Sequence, residues 1–169
     1  MAIRCQLTKV ANAPAVLTLV RTNGTRTSAR VGQAGADGPV HDLAQFVVER
    51  ALGLNGGFLG LLGAGWKVRE FDTPAAVRQS ETDAVLAECV ARHLSREARA
   101  AEHYDVAFFN ARIWWAARRL HPDIVPPVLT EAQLDAMRRD LRELRSRWLE
   151  LPVGGTIELS FTGEATAAE

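Results

Sequence analysis

Ile3, Cys5 and Leu7 alternate with polar residues at the start of the chain, the period of a strand with one buried face. "NAP" at residues 12–14 offers a turn and "AVLTLVRT" a second strand. Asn23-Gly24 is the strongest short hairpin signal available and predicts a two-residue loop. That loop would set Thr22 against Thr25, Arg21 against Arg26 and Val20 against Thr27. Two facing arginines repel unless an acid or a bound anion lies between them. "GQAGADGP" (32–39) reads as a loop.

From Val40 the period becomes helical, with Leu43, Phe46, Val47 and Leu52 on one face and Gly53 as terminator. "LNGGFLGLLGAGW" follows; its large apolar residues require burial and its glycines permit close backbone approach, so a buried turn against the helices is expected. Thr73-Pro74 reads as an N-cap with proline at the first helical position, and Ser80-x-x-Asp83 resembles a second start. Leu86, Cys89, Val90, His93 and Leu94 then share a side as far as about Ala101. A helix from Asp105 to Leu120 carries Val106, Phe109, Ile113, Ala117 and Leu120 on one face. Phe108, Trp114 and Trp115 point elsewhere, which predicts burial on more than one side. Prolines at 122, 126 and 127 end it.

The last helix has the clearest pattern. Thr130-x-x-Gln133 is a capping box, and Leu134, Met137, Leu141, Leu144, Trp148 and Leu151 recur in alternating steps of 3 and 4. The stripe could pack on the chain's own core or serve as the seam of a homodimer through Leu134, Met137, Leu141, Leu144 and Trp148. Asp135, Arg139, Glu143 and Arg147 form an alternating-sign row on its outer face. "TIELSF" at 156–161 is one more half-buried strand, and the residues from 162 to 169 read as a tail. These elements define one α+β domain over 1–161. A small antiparallel sheet, an N-terminal meander plus a C-terminal strand, packs on a cluster of three to five helices.

Composition narrows the function more than it names one. Lys+Arg and Asp+Glu both number 20, so no net field recruits nucleic acid or an anionic membrane. The 47% hydrophobic fraction is that of a globular domain long enough to bury a core. Cys5 and Cys89 fall at apolar positions as buried free thiols, which suits a cytoplasmic protein. The run "VANAPAVLTLV" behind Arg4 and Lys9 mimics a secretory signal, but Asn12 and Pro14 interrupt it and strands explain it better. The uncharged run from Ala51 to Trp66 is too short and too rich in glycine to span a bilayer. Dinucleotide, phosphate-loop, zincin, nucleophile-elbow and CxxC motifs are all missing from the sequence.

Two groups remain that could carry chemistry. His41, Asp42 and Glu49 lie on the helix that begins at Val40. Imidazole and carboxylate are general acid–base groups and the ligand set of first-row metals. They define a candidate catalytic trio, with His41 and Glu49 as ligands for a divalent metal of a hydrolase-like enzyme. The structural alternative is a helix start in which Asp42 meets the dipole. Trp66, Trp114, Trp115 and Arg112, with Arg118 and Arg119 nearby, could instead bind a small-molecule ligand or a protein. A non-catalytic binding or interaction domain is the preferred expectation, and the metal-binding protein or enzyme the alternative.

"HDLAQFVVERALGLNGGFLGLLGAGW" (41–66) also resembles a segment of a family of small bacterial proteins of no established activity. In that family "HDL" opens a helix, a glutamate follows, and a "GFxGL" segment ends in "GW". "LPVGGTIELSF" adds a weaker likeness. The resemblance implies a second histidine at the position of Gln45, so a ligand or base of the family would be missing here.

Overall fold

The computed structural model describes residues 2–67 and 82–162. The helix starts expected at Thr73 and Ser80, and the tail beyond Thr162, lie outside them. Strands β1 (Ala2–Thr8), β2 (Ala15–Arg21), β3 (Arg26–Val31) and β4 (Thr156–Thr162) form one antiparallel sheet in the order β3-β2-β1-β4. The last strand returns to the N-terminal meander, so the fold is α+β. The period-2 alternation sets one face: Ile3, Cys5, Leu7, Ala15, Leu17, Leu19, Ile157 and Phe161 are buried under the helices. The opposite face is polar and cross-linked by side chains. Ser28 and Thr18 hydroxyls meet at 2.8 Å, Thr8 and Thr156 hydroxyls at 2.9 Å, and Gln6 donates to Glu158 at 2.6 Å.

The β2–β3 turn departs from the sequence expectation by one residue. Val20 faces Arg26, and Arg21 faces Thr25, whose carbonyl accepts the Arg21 N–H at 3.0 Å. The loop therefore has three residues, closed by Gly24 N–H on the Arg21 carbonyl at 2.9 Å. Asn23 explains the longer loop: its Oδ1 accepts from the Thr25 N–H at 3.0 Å and the Thr25 hydroxyl at 2.7 Å, and Gly24 takes φ +80°. The facing arginines, and the anion between them, do not arise.

Five helices are described: α1 (Val40–Leu52), α2 (Phe58–Gly63), α3 (Thr82–Ala100), α4 (Val106–Leu120) and α5 (Glu131–Glu150). The helix α1 runs antiparallel to α3, since His41 meets Glu88 while Gly56, beyond its other end, donates to Asp83 at 2.9 Å. The expected stop at Gly53 holds: its φ is +65° and its N–H reaches the Glu49 carbonyl. The capping box at Thr130 and Gln133 is fully formed. Leu134, Met137, Leu141, Leu144 and Trp148 are all buried in this chain's own core, so that stripe is not a free surface for a second copy. In place of the expected buried turn, the glycine-rich segment makes the short helix α2, which buries Leu59 and Leu62 against α1 and β2.

The helix α4 buries only Phe109, Ile113 and Ala117. The expectation of burial on several sides is wrong because α4 packs on α3 at the margin of the cluster, where a single stripe meets a partner.

Charged side chains close the ends of this arrangement. Lys9 Nζ donates to the carbonyls of Trp148, Leu149 and Leu151 at 3.0, 3.3 and 2.9 Å, a cation where the α5 carbonyls run out of partners. Buried Glu97 and half-buried Arg138 form a two-pronged pair at 2.6 and 3.0 Å. Glu97 also accepts from the Tyr104 N–H at 2.8 Å, and Arg138 donates to the Tyr104 carbonyl at 2.5 Å, so the pair fixes the α3–α4 loop onto α5.

Arg138→Met strands a buried carboxylate and is expected to cost about 3–5 kcal/mol in urea denaturation. Adding Glu97→Leu should recover a large part of that loss; a double variant no more stable than the single one would contradict the pairing.

Candidate functional site

Glu49 has no exposed surface, and its position explains the glycines that follow it. The first amides of a helix have no partner within it. At α2 these amides find Glu49, whose Oε2 accepts from Leu59 N–H at 2.9 Å and from Gly60 N–H at 3.4 Å. A Cβ at Gly57 would lie 2.4 Å from the Glu49 carboxyl carbon, and one at Gly60 would lie 1.7 Å from the Asn55 carbonyl oxygen. Both positions require the absence of a side chain. Burial pushes the Glu49 carboxyl up to about 7, against the opposing pull of the α2 amides and Gln45.

His41 and Asp42 turn elsewhere. His41 Nε2 lies 3.3 Å from Glu88 on α3. That bond raises the imidazole pKa, against burial, which lowers it. Burial would raise the Glu88 pKa, but its bonds to His41 and Arg92 hold the carboxyl below the ordinary range. Asp42 is pushed up to about 6 by burial, and its Oδ2 has no hydrogen-bond partner among the described residues. It sits against Gly32, where a Cβ would approach Oδ2 to 3.1 Å.

The three candidate catalytic residues thus face three neighbours: α3 for His41, the end of β3 for Asp42, and α2 for Glu49. Among the described residues no group of three or more His, Cys, Asp or Glu is placed to hold a metal ion. His41 and Glu49 are not brought together as ligands for a divalent metal. Cys5 and Cys89 are free and buried, and burial pushes their thiols up to about 12 and about 11, far from the thiolate form that reacts.

Of the aromatic–arginine group, Arg112, Trp114 and Trp115 lie on α4. Trp115 is 66% exposed, Phe108 45% and Trp114 40%. The two indoles meet edge to face with centroids 5.0 Å apart. Arg118 covers Trp114 at 4.9 Å, while Arg112 lies 5.5 Å from both the Tyr104 and the Phe108 rings. Arg112 also donates to His93 Nδ1 at 3.5 Å; burial and then the charge of Arg112 hold that buried imidazole below its ordinary pKa. Trp66 belongs to a different region, its carbonyl bound by Arg21 at 2.8 Å.

Glu88, Glu97 and Arg138 escaped the sequence reading. Glu97 left a signal, since it follows Val90 and Leu94 on the buried stripe of α3. Glu88 left none, because only the α1–α3 packing selects it as the partner of His41. No helix among the described residues is long and apolar enough to cross a membrane. No family model matches the chain, and no curated protein or solved structure matches it with significance.

The folded chain holds the Glu49 proton up to about pH 7, whereas the ordinary value is 4.5. The resulting stabilisation is full below 4.5 and is lost as pH rises through 7; Asp42 acts in the same direction through about 6. Glu49→Gln should therefore match the wild type at pH 4.5 and exceed its stability by about 3 kcal/mol at pH 8. Urea titrations at the two pH values check this; parallel pH slopes would show that Glu49 does not titrate in this window.

Proposed function

We propose that this protein is a non-catalytic interaction domain that docks an acidic partner protein on the outer face of α4. The exposed Trp115, carried with Phe108 and Trp114 on a helix packed along one stripe, supports this reading. Contiguous aromatic surface at the edge of a domain marks an interface more often than ornament, and tryptophan with arginine is the usual composition of its energetic centre.

Charge selects the partner. The residues of α4 include Arg112, Arg118 and Arg119 but no Asp or Glu. Two copies meeting through this face would oppose arginines, which disfavours a homodimer here. A single-stranded nucleic acid would need open ring faces, yet arginines already cover Trp114 and Phe108. A partner offering carboxylates around an apolar centre satisfies both the rings and the guanidiniums.

A photo-crosslinking amino acid at position 115, with position 160 on the polar sheet face as control, tests this in cells. The expected result is a discrete adduct at 115 alone, mapping to an acidic protein segment and lost on Arg118→Glu. An adduct to RNA, to a second copy of this chain, or none above the control would overturn the reading.

A further inference from the structure

A second cationic surface lies where the first turn of α1 meets the C-terminal half of α3. A cleft of about 420 Å³ there is lined by His41, Arg92, Ser95, Arg96, Arg99 and Ala100. Residues 92, 95, 96 and 99 follow at helical spacing, so their side chains form one stripe on α3. The volume lies within the range of small-ligand pockets.

The distribution of charge in this cleft is uneven. Arg92 is engaged, donating to Glu88 at 2.7 and 3.2 Å, and the same carboxylate faces His41. Arg96 and Arg99, both exposed, make no hydrogen bond or ion pair with a described residue. The acid near Arg99 is Asp42, which is largely buried. Glu88 and Asp42 can offset two charges of the cluster formed by His41, Arg92, Arg96 and Arg99. The cleft keeps a net positive charge.

We propose that this cleft binds the phosphoryl group of a small phosphorylated ligand, held by Arg96 and Arg99 with Arg92 and His41 at its side. The fork of a guanidinium matches phosphate oxygens two at a time, and a phosphate dianion answers a cluster of three arginines and a histidine better than a single carboxylate does. Ser95 forms the floor; its hydroxyl is occupied by the Arg92 carbonyl at 3.1 Å, so it supplies shape and no nucleophile. The site binds and does not hydrolyse.

Calorimetric titration of the full chain at pH 7 and constant ionic strength tests the assignment, with inorganic phosphate, phenyl phosphate and acetate as probes. Saturable binding of either phosphate probe is expected; a tighter phenyl phosphate assigns the site to an organic phosphomonoester, and a tighter inorganic phosphate to the free ion. Arg96→Gln and Arg99→Gln should each weaken binding at least tenfold, while Arg30→Gln, exposed on β3, stays within twofold. Glu88→Gln, which removes the competing carboxylate, should tighten binding severalfold. Circular dichroism of each variant separates a lost site from a lost fold. No saturation by either phosphate probe, acetate binding as tight as phosphate, or equal loss in Arg30→Gln would overturn the proposal.

Discussion

A carboxyl group cannot be taken fully out of water at no cost, and Glu49 meets that constraint in part with the free amides of α2 and in part by keeping its proton up to about pH 7. The arrangement is reciprocal. A helix of six residues is too short to persist alone, and this one is held at both ends by side chains from other elements. Glu49 meets its amides, and Arg21 from the sheet donates to the Leu62 carbonyl at its other end at 2.8 Å. An acid at the N-terminus and a base at the C-terminus are the signs that the backbone dipole favours. Through these contacts the glycine-rich segment joins the sheet to α1.

The same device recurs at the opposite side of the domain. Lys9 collects the last carbonyls of α5, Arg145 holds Asp37 of the loop before α1 at 2.7 Å, and Glu97 with Arg138 fixes the loop after α3. Much of the charge that looks like solvated surface in the sequence is internal joinery between elements distant along the chain. Against that background the arginines without carboxylate partners on α3 and α4 stand out.

The strands, the termination of α1, and the cap and stripe of α5 were readable because each depends on residues within one element; the return of the last strand followed from its half-buried alternation, which needs a sheet to join. The hairpin register was not, since the Asn23 side chain added a residue to the loop that the Asn-Gly pair alone does not foretell. The surroundings of α4 were misread because a composition rich in tryptophan cannot say how many neighbours a helix will find. Glu49 was named for metal or acid–base chemistry, and in the structure its carboxyl accepts from the first amides of α2. His41 could be seen; Glu88 opposite it could not, because that pairing exists only once α1 and α3 pack.

The order of strands has a consequence for how the chain is made. The strand β1 is interior to the sheet, yet its partner on one side is β4, separated from it by every helix. As the polypeptide emerges, the N-terminal meander can form early while one edge of β1 stays unpaired, its amides and carbonyls facing any other extended chain. That edge is covered only when residues 156–162 arrive, and a contact this distant in sequence is slow to close. The polar outer face of the meander, with Gln6, Thr8 and Thr18, keeps the waiting sheet soluble on one side. Its apolar side depends on the helices arriving first, so this domain is most vulnerable to misassociation in the interval between its third strand and its last.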